Sequence, residues 1–303
     1  MKKITYITGV VAILFASMSM SAQNTPALPF SAADYNPVTL AKGGAGLVET
    51  SSIAFAAYTN AAAIPFSEST GDVAVGYDMW QPSSVNVNYM NVAAGFNIKD
   101  KVGVAAGFSY GMYNKKDFAG MEVVPSNIQA NVGISWRFVK FLSIGANVGY
   151  ARETLMKDYS LGAVTADVFL MSEFYDFKIA AGVSNLGSKV KSKYSTYSLP
   201  TAVSLGLGYD KVFAEKHGID VLVDADYFLA GAFTVSAGAG YTFNDMVSVR
   251  AGYNYGGEAV IPSYASVGAG VKFFGVKLDL AYLIAGSDSP MNNTLAVSLG
   301  YSF

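Results

Sequence analysis

The sequence predicts an all-β fold: a transmembrane antiparallel barrel of about 14 strands, preceded by a short N-terminal plug. Three observations predict it. Apolar residues alternate with small polar ones through most of residues 71–303. The connections between these alternating segments are short and long in turn. The chain also opens on an export signal.

In the first segment, "MKKITYITGVVAILFASMSMSAQ", Lys2 and Lys3 precede an apolar run through Phe15 and Ala16, followed by small residues. This is the order of a secretory signal peptide, placed at residues 1–22, with cleavage after Ala22 or Ser21. The apolar run is shorter than the roughly 20 residues that a spanning helix needs. The whole chain is 52% hydrophobic and 14% charged, with 20 Tyr and 19 Phe against 2 Trp, and this apolarity is spread out in alternation. There is no cysteine, which excludes a disulfide framework and thiolate chemistry. A net charge of -2 argues against a nucleic-acid partner, which needs a concentrated basic face.

Residues 23–70 read as the plug. "LAKGGAGLVETSSIAFAAYTNAAAIPF" has small residues in runs and no clean period of two. Gly43, Gly44 and Gly46 permit close backbone approach to a barrel wall, and Asn60 and Phe66 are further plug candidates. Gly43-Gly44-Ala45-Gly46 lacks the Lys-Ser/Thr and the strand-to-helix context of a phosphate loop.

Residues 71–303 read as the barrel. In "FLSIGANVGY", Leu142, Ile144, Ala146, Val148 and Tyr150 alternate with Ser143, Gly145, Asn147 and Gly149. In "VSVRAGYNY", Val247, Val249, Ala251, Tyr253 and Tyr255 alternate with Ser248, Arg250, Gly252 and Asn254. Charges recur on the small polar face, where a dry sandwich core would leave them unpaired. Aromatic residues such as Tyr77, Tyr89, Tyr110 and Tyr150 fall at strand ends, where an interfacial girdle belongs. Tight connections at "KDK", "VK", "ND" and "FG" alternate with longer ones, with "KVFAEKHG" a long connection on the short side. Short periplasmic turns and longer outer loops put both termini in the periplasm of an outer-membrane protein. The last strand, "TLAVSLGYSF", sets Leu295, Val297, Leu299, Tyr301 and Phe303 on one face. It is expected to close the barrel against the first strand and to present Phe303 to the barrel assembly machinery. Outer-membrane lipid is the other expected partner.

Catalytic residues are scarce. The sole histidine, His217, lies in "AEKHGID" and reads as a solvated turn residue. Asp220, Asp224 and Asp226 project from one side of a strand at about 7 Å intervals. They read as a hydrated lumen wall paired with Arg250 or Arg137, rather than as a calcium or acid-base site. The sequence implies no enzyme, no metal and no cofactor.

"TLAKGGAGLVETSSIAFAAYTNAAAIPF" resembles the N-terminal plug of FadL-like outer-membrane barrels, specifically the PorV/PorQ-type group of Bacteroidetes. "AAGVSNLGSKV" followed by "LPTAVSLGLGYD" matches further, with Asn185, Leu186, Gly187, then Leu199, Pro200 and Thr201, as its most specific turn. The sequence departs from the family pattern at Asn60, which is followed by Ala61 rather than proline, and at Ala41-Lys42 before the glycines. The resemblance implies a fourteen-stranded barrel with a plug. It also implies a non-enzymatic component of type IX secretion or surface attachment, with secretion-system proteins or exported cargo as partners. The alternative is a FadL-like channel for uptake of a hydrophobic small molecule, and a structural or enzymatic barrel ranks last.

Overall fold

The computed structural model describes residues 26–82, 86–114, 116–118, 121–123, 125–156, 159–191, 196–256 and 261–303. The signal segment 1–22 lies outside these residues. Eighteen strands are present among them: β1 (Gly71–Trp80), β2 (Val87–Ile98), β3 (Val102–Tyr113), β4 (Lys116–Phe118), β5 (Met121–Val123), β6 (Ser126–Val139), β7 (Leu142–Met156), β8 (Tyr159–Phe174), β9 (Phe177–Gly187), β10 (Val190–Lys191), β11 (Thr196–Tyr197), β12 (Ala202–Phe213), β13 (His217–Phe228), β14 (Ala232–Phe243), β15 (Val247–Gly256), β16 (Tyr264–Phe273), β17 (Val276–Ile284) and β18 (Leu295–Ser302).

Fourteen of these strands form one closed antiparallel barrel in chain order. The hairpins β4–β5 and β10–β11 stand apart in two of the long connections. The seam is β1 against β18, in register from Asp72↔Ser302 to Met79↔Leu295. Phe303 extends it: its carbonyl accepts the Gly71 N–H at 2.9 Å and its own N–H donates to Gly71 O at 2.9 Å. A closed barrel leaves no unpaired sheet edge, the condition for strands to cross lipid. Among the described residues no helix is long and apolar enough to cross a membrane.

The period of two sorts the wall. Val92, Val132, Ile134 and Val164 point outward and are 58–60% exposed, while Asn91, Ser109, Asn131 and Ser135 point inward and are buried. Lipid covers an outer face of this kind. Tight turns mark one end of the barrel, here the turn end. Lys99 and Asp100 both have φ 54°, and Asn244 and Asp245 have φ 55° and 53°, the left-handed central pair of a tight turn between twisted strands. Exposed aromatic side chains ring this end, including Trp136, Phe138, Phe174 and Phe274. Tyr77, Tyr110, Tyr253 and Tyr255 are exposed toward the opposite, loop end.

Three local expectations are corrected. "KVFAEKHG" is not a long connection, because Lys211, Val212 and Phe213 continue β12 and Phe213 pairs with His217. Tyr89 does not join the girdle: it is 2% exposed and meets Tyr35 edge-on at 5.2 Å inside the lumen. Asn185-Leu186-Gly187 is not a turn but the end of β9. The register against β8 slips between Ala166 and Val168, and Asn185 takes φ 53°, a bulge that bends the strand.

Candidate functional site: the plugged lumen and its cavity

Residues 26–70 fold inside the barrel as short helical turns: Pro29–Ala32, Pro37–Leu40, Ile53–Ala57 and Ala61–Phe66. Isolated turns of this length have little stability of their own, so caps and wall contacts hold them. The Asn36 carboxamide accepts the Val38 N–H at 3.1 Å, and Asn60 accepts the Ala62 N–H at 2.8 Å. Asn60 also donates to Leu47 O at 2.8 Å, linking two plug segments. Ala41, Ala45, Ala57, Ala61, Ala62 and Ile64 have no exposed surface.

The small inward residues of the wall are a consequence of the plug's closeness. A Cβ on Gly252 of β15 would lie 2.1 Å from the Lys42 carbonyl carbon, and one on Gly145 of β7 would lie 2.3 Å from the Ala62 nitrogen. Gly43 (φ +74°) and Gly44 (φ +85°) turn the plug backbone against β15 and Tyr264, and a Cβ on Gly46 would strike Thr39. The Gly43 N–H donates to Ser266 Oγ at 2.9 Å.

Polar groups of the wall fasten the plug. Asp224 Oδ2 accepts the Gly46 and Leu47 N–H groups at 2.6 and 2.8 Å. Asn131 donates to Ala57 O at 3.0 Å and Ser143 to Ala62 O at 2.5 Å. Arg137 donates to Pro65 O at 3.0 Å and covers the Phe66 ring at 4.4 Å, while Lys277 donates to Ser51 O at 2.8 Å. Each such bond contributes about 1 kcal/mol net, so displacing the whole plug would forfeit many at once.

An ion cluster anchors the plug near the turn end. Lys42, 2% exposed, meets Glu49 at 2.6 Å and Asp220 of β13 at 2.5 Å. Burial works to depress the Lys42 ammonium, but the two carboxylates outweigh it and hold its pKa above the usual value. Burial would raise Glu49, yet Lys42 pulls its carboxyl well below the usual range.

Asp220, Asp224 and Asp226 all face the lumen, but neither arginine pairs with them. Arg250 pairs with Asp279 at 2.8 Å, because β15 brings it beside β17 through the intervening β16. Arg137 sits at the turn end on the plug. Asp226 accepts from Ser204 at 2.5 Å and Thr234 at 3.3 Å. The expected hydrated wall is therefore filled by protein over much of its surface. His217 is not a solvated turn residue either. It opens β13, stacks on Phe213 at 5.3 Å and bonds Tyr241 Oη at 2.7 Å through Nδ1.

Toward the loop end the plug leaves a cavity of about 360 Å³. Aromatic side chains line it from the plug (Phe30, Tyr58) and from the wall (Trp80, Tyr89, Phe169, Phe228, Tyr264). Asp34, Asp167, Asp224 and Asp226 line it too. Asp34 accepts the Asn36 N–H at 2.9 Å and the Thr39 hydroxyl at 2.5 Å, while burial pushes its pKa up to about 6. Pro200 and Asn185 complete one side. The Asn185 bulge is held by its N–H to Asp167 at 2.7 Å and by Thr201 Oγ1 donating to Asn185 O at 2.8 Å. A Cβ on Gly187 would strike Leu199 at 2.6 Å, and Leu199 belongs to the same buried apolar cluster as Phe30 and Tyr35. Nothing in the sequence marks Asp34 and Asp167 as site residues, or Lys42 as an ion-pair partner, because only the folded plug brings these groups to their partners.

No protein-family model matches the chain, and no curated protein matches it by sequence. Solved structures do resemble it. The Ralstonia pickettii toluene transporter TbuX superposes with a TM-score of 0.60 at 12% identity, over 90% of this chain and 99% of that one. The P. putida toluene transporter TodX gives 0.61 at 12% identity, over 94% and 99%. A Pseudomonas aeruginosa FadL homologue gives 0.55 at 12% identity, over 88% and 98%. At these identities the likeness is one of fold, and the fold is that of the FadL-like fourteen-stranded barrels.

Proposed function

We propose that the chain is an outer-membrane channel that admits a small hydrophobic molecule, and that it is not an enzyme. The observation that carries this reading is the cavity of about 360 Å³, walled in large part by aromatic side chains, on the loop side of the plug. Small-molecule sites are concave, mainly apolar and of this size. Structures of the same fold include toluene transporters. In this reading the tight turns face the periplasm.

The experiment is uptake of a radiolabelled monoaromatic hydrocarbon by cells that lack channels of their own and express the intact chain. Uptake is expected to exceed that of control cells several-fold. Ser236→Trp, which fills the cavity from β14, is expected to return it to the control rate while the barrel still runs as a folded band in unheated gels. Equal uptake by wild type, variant and control rejects the reading.

A second reading, a component of type IX secretion or surface attachment, is favoured by the PorV/PorQ-like plug motif and by the many wall bonds that hold the plug as a seal. It expects no change in hydrocarbon uptake, and loss of cargo from the cell surface when the chain is removed.

A further inference from the structure

We propose that the channel favours amine-bearing aromatic amphiphiles over neutral or anionic ones of the same skeleton. This rests on the channel reading above and names its substrate class.

The argument starts from an imbalance of charge. Asp34 of the plug, Asp167 of β8, and Asp224 and Asp226 of β13 all line one cavity, and no Lys, Arg or His stands among its described lining residues. Their hydrogen-bond partners are neutral dipoles: Asn36 and Thr39 for Asp34, Asn185 for Asp167, Gly46 and Leu47 for Asp224, Ser204 and Thr234 for Asp226. Among the described residues the lumen's lysines and Arg250 are committed elsewhere. Lys42 serves Glu49 and Asp220, Lys178 serves Asp210, Arg250 serves Asp279 and Lys277 serves Asp72.

A second, independent observation points to a ligand. Asp224 is 5% exposed and its Oδ1 has no hydrogen-bond partner among the described residues; Asn131, on the same cavity, is 6% exposed and its Oδ1 has none among them either. A buried acceptor left unpaired is unfavourable until a donor arrives. An ammonium brings three donors and a positive charge, and water-poor walls strengthen its attraction to carboxylates. The same walls repel a carboxylate ligand. Phe30, Phe169 and Phe228 line the same cavity and supply apolar surface for the body of such a ligand.

The test uses 4-phenylbutylamine, 4-phenylbutanol and 4-phenylbutyrate with the intact chain in non-ionic detergent at near-neutral pH and low salt. The chain has 2 Trp. Trp136 faces outward at 58% exposure, and Trp80 lines the cavity, so Trp136→Phe leaves Trp80 fluorescence as the reporter. The amine is expected to bind about tenfold more tightly than the alcohol, the carboxylate most weakly, and high salt to narrow the gap. Asp226→Asn and Asp224→Asn are each expected to weaken the amine about fivefold without moving the alcohol. Asp226 does not hold the plug backbone, so its variant remains informative should the Asp224 variant misfold. Equal binding of alcohol and amine, or tightest binding of the carboxylate, overturns the charge preference and leaves the channel standing. Silence of Trp80 toward all three probes overturns the channel reading and the preference with it.

Discussion

Lys42 of the plug and Asp220 of the wall strand β13 meet at 2.5 Å, with Glu49 closing the cluster at 2.6 Å from the same ammonium. Removing one partner of a buried ion pair leaves the others unpaired, at a cost of about 3–5 kcal/mol. Lys42→Met should therefore lower the unfolding midpoint in urea, measured by the shift from folded to unfolded band. An unchanged midpoint would show that the cluster contributes nothing to the plug's attachment.

The same cluster gives one pH dependence and Asp34 gives the opposite one. Glu49 has a folded pKa below its ordinary 4.5, so its contribution is fully present above pH 4.5 and is lost as pH falls below it. Asp34 has a folded pKa of about 6 against an ordinary 3.8, so the folded state holds its proton more tightly and loses stability as pH rises through that window. Asp34→Asn should remove this loss. Thermal midpoints of wild type and variant should then lie closest on the acid side of pH 4 and differ most above pH 6, with the variant the more stable, and a constant offset would contradict the assignment.

Register can be tested at adjacent residues. Val249 faces lipid at 53% exposure, so Val249→Arg should cost about 2–4 kcal/mol near the midplane. Arg250→Met should also be costly, because it strands Asp279, and Asp279→Leu added to it should restore most of the loss. Folded yields of the three variants after refolding into vesicles decide the point: failure of the double variant to recover would detach Arg250 from Asp279.

Gly252→Val places a side chain where the Lys42 backbone runs, 2.1 Å from its carbonyl carbon. The plug must shift, and planar-bilayer recordings should show leak currents that the wild type lacks. Deleting residues 41–66 should give larger, steady currents, since the wall behind is polar. A deletion that conducts no more than wild type would remove the plug from the account of closure.

The fold was legible because the bilayer imposes one rule along the whole chain: polar in, apolar out, with turns between. Where one residue type serves two geometries, the sequence misled. Asn185 with its left-handed φ suits a turn or a bulge alike, and only the partner strand β8 decides. "KVFAEKHG" carries charges and a histidine, yet its first residues keep pairing. The site was less legible. Gly46 and Asp224 are 178 residues apart in the chain, and no local pattern announces that the plug backbone will satisfy that carboxylate. Arg250 was read against the wrong aspartates for the same reason: its partner is set by neighbouring strands, not by proximity in sequence.

Glycines moulded to the plug's backbone have a consequence for the order in which the molecule is made. Thr70 leads from the plug directly into β1, and β1 is one lip of the seam with β18. The plug is bonded to strands around the whole circumference, from β6 and β7 to β13, β16 and β17. Strands that zipped shut around an empty interior would leave no gap wide enough to thread those turns through afterwards. The guest must arrive before the door closes, so in the intact chain the plug takes its place before β1 pairs with β18.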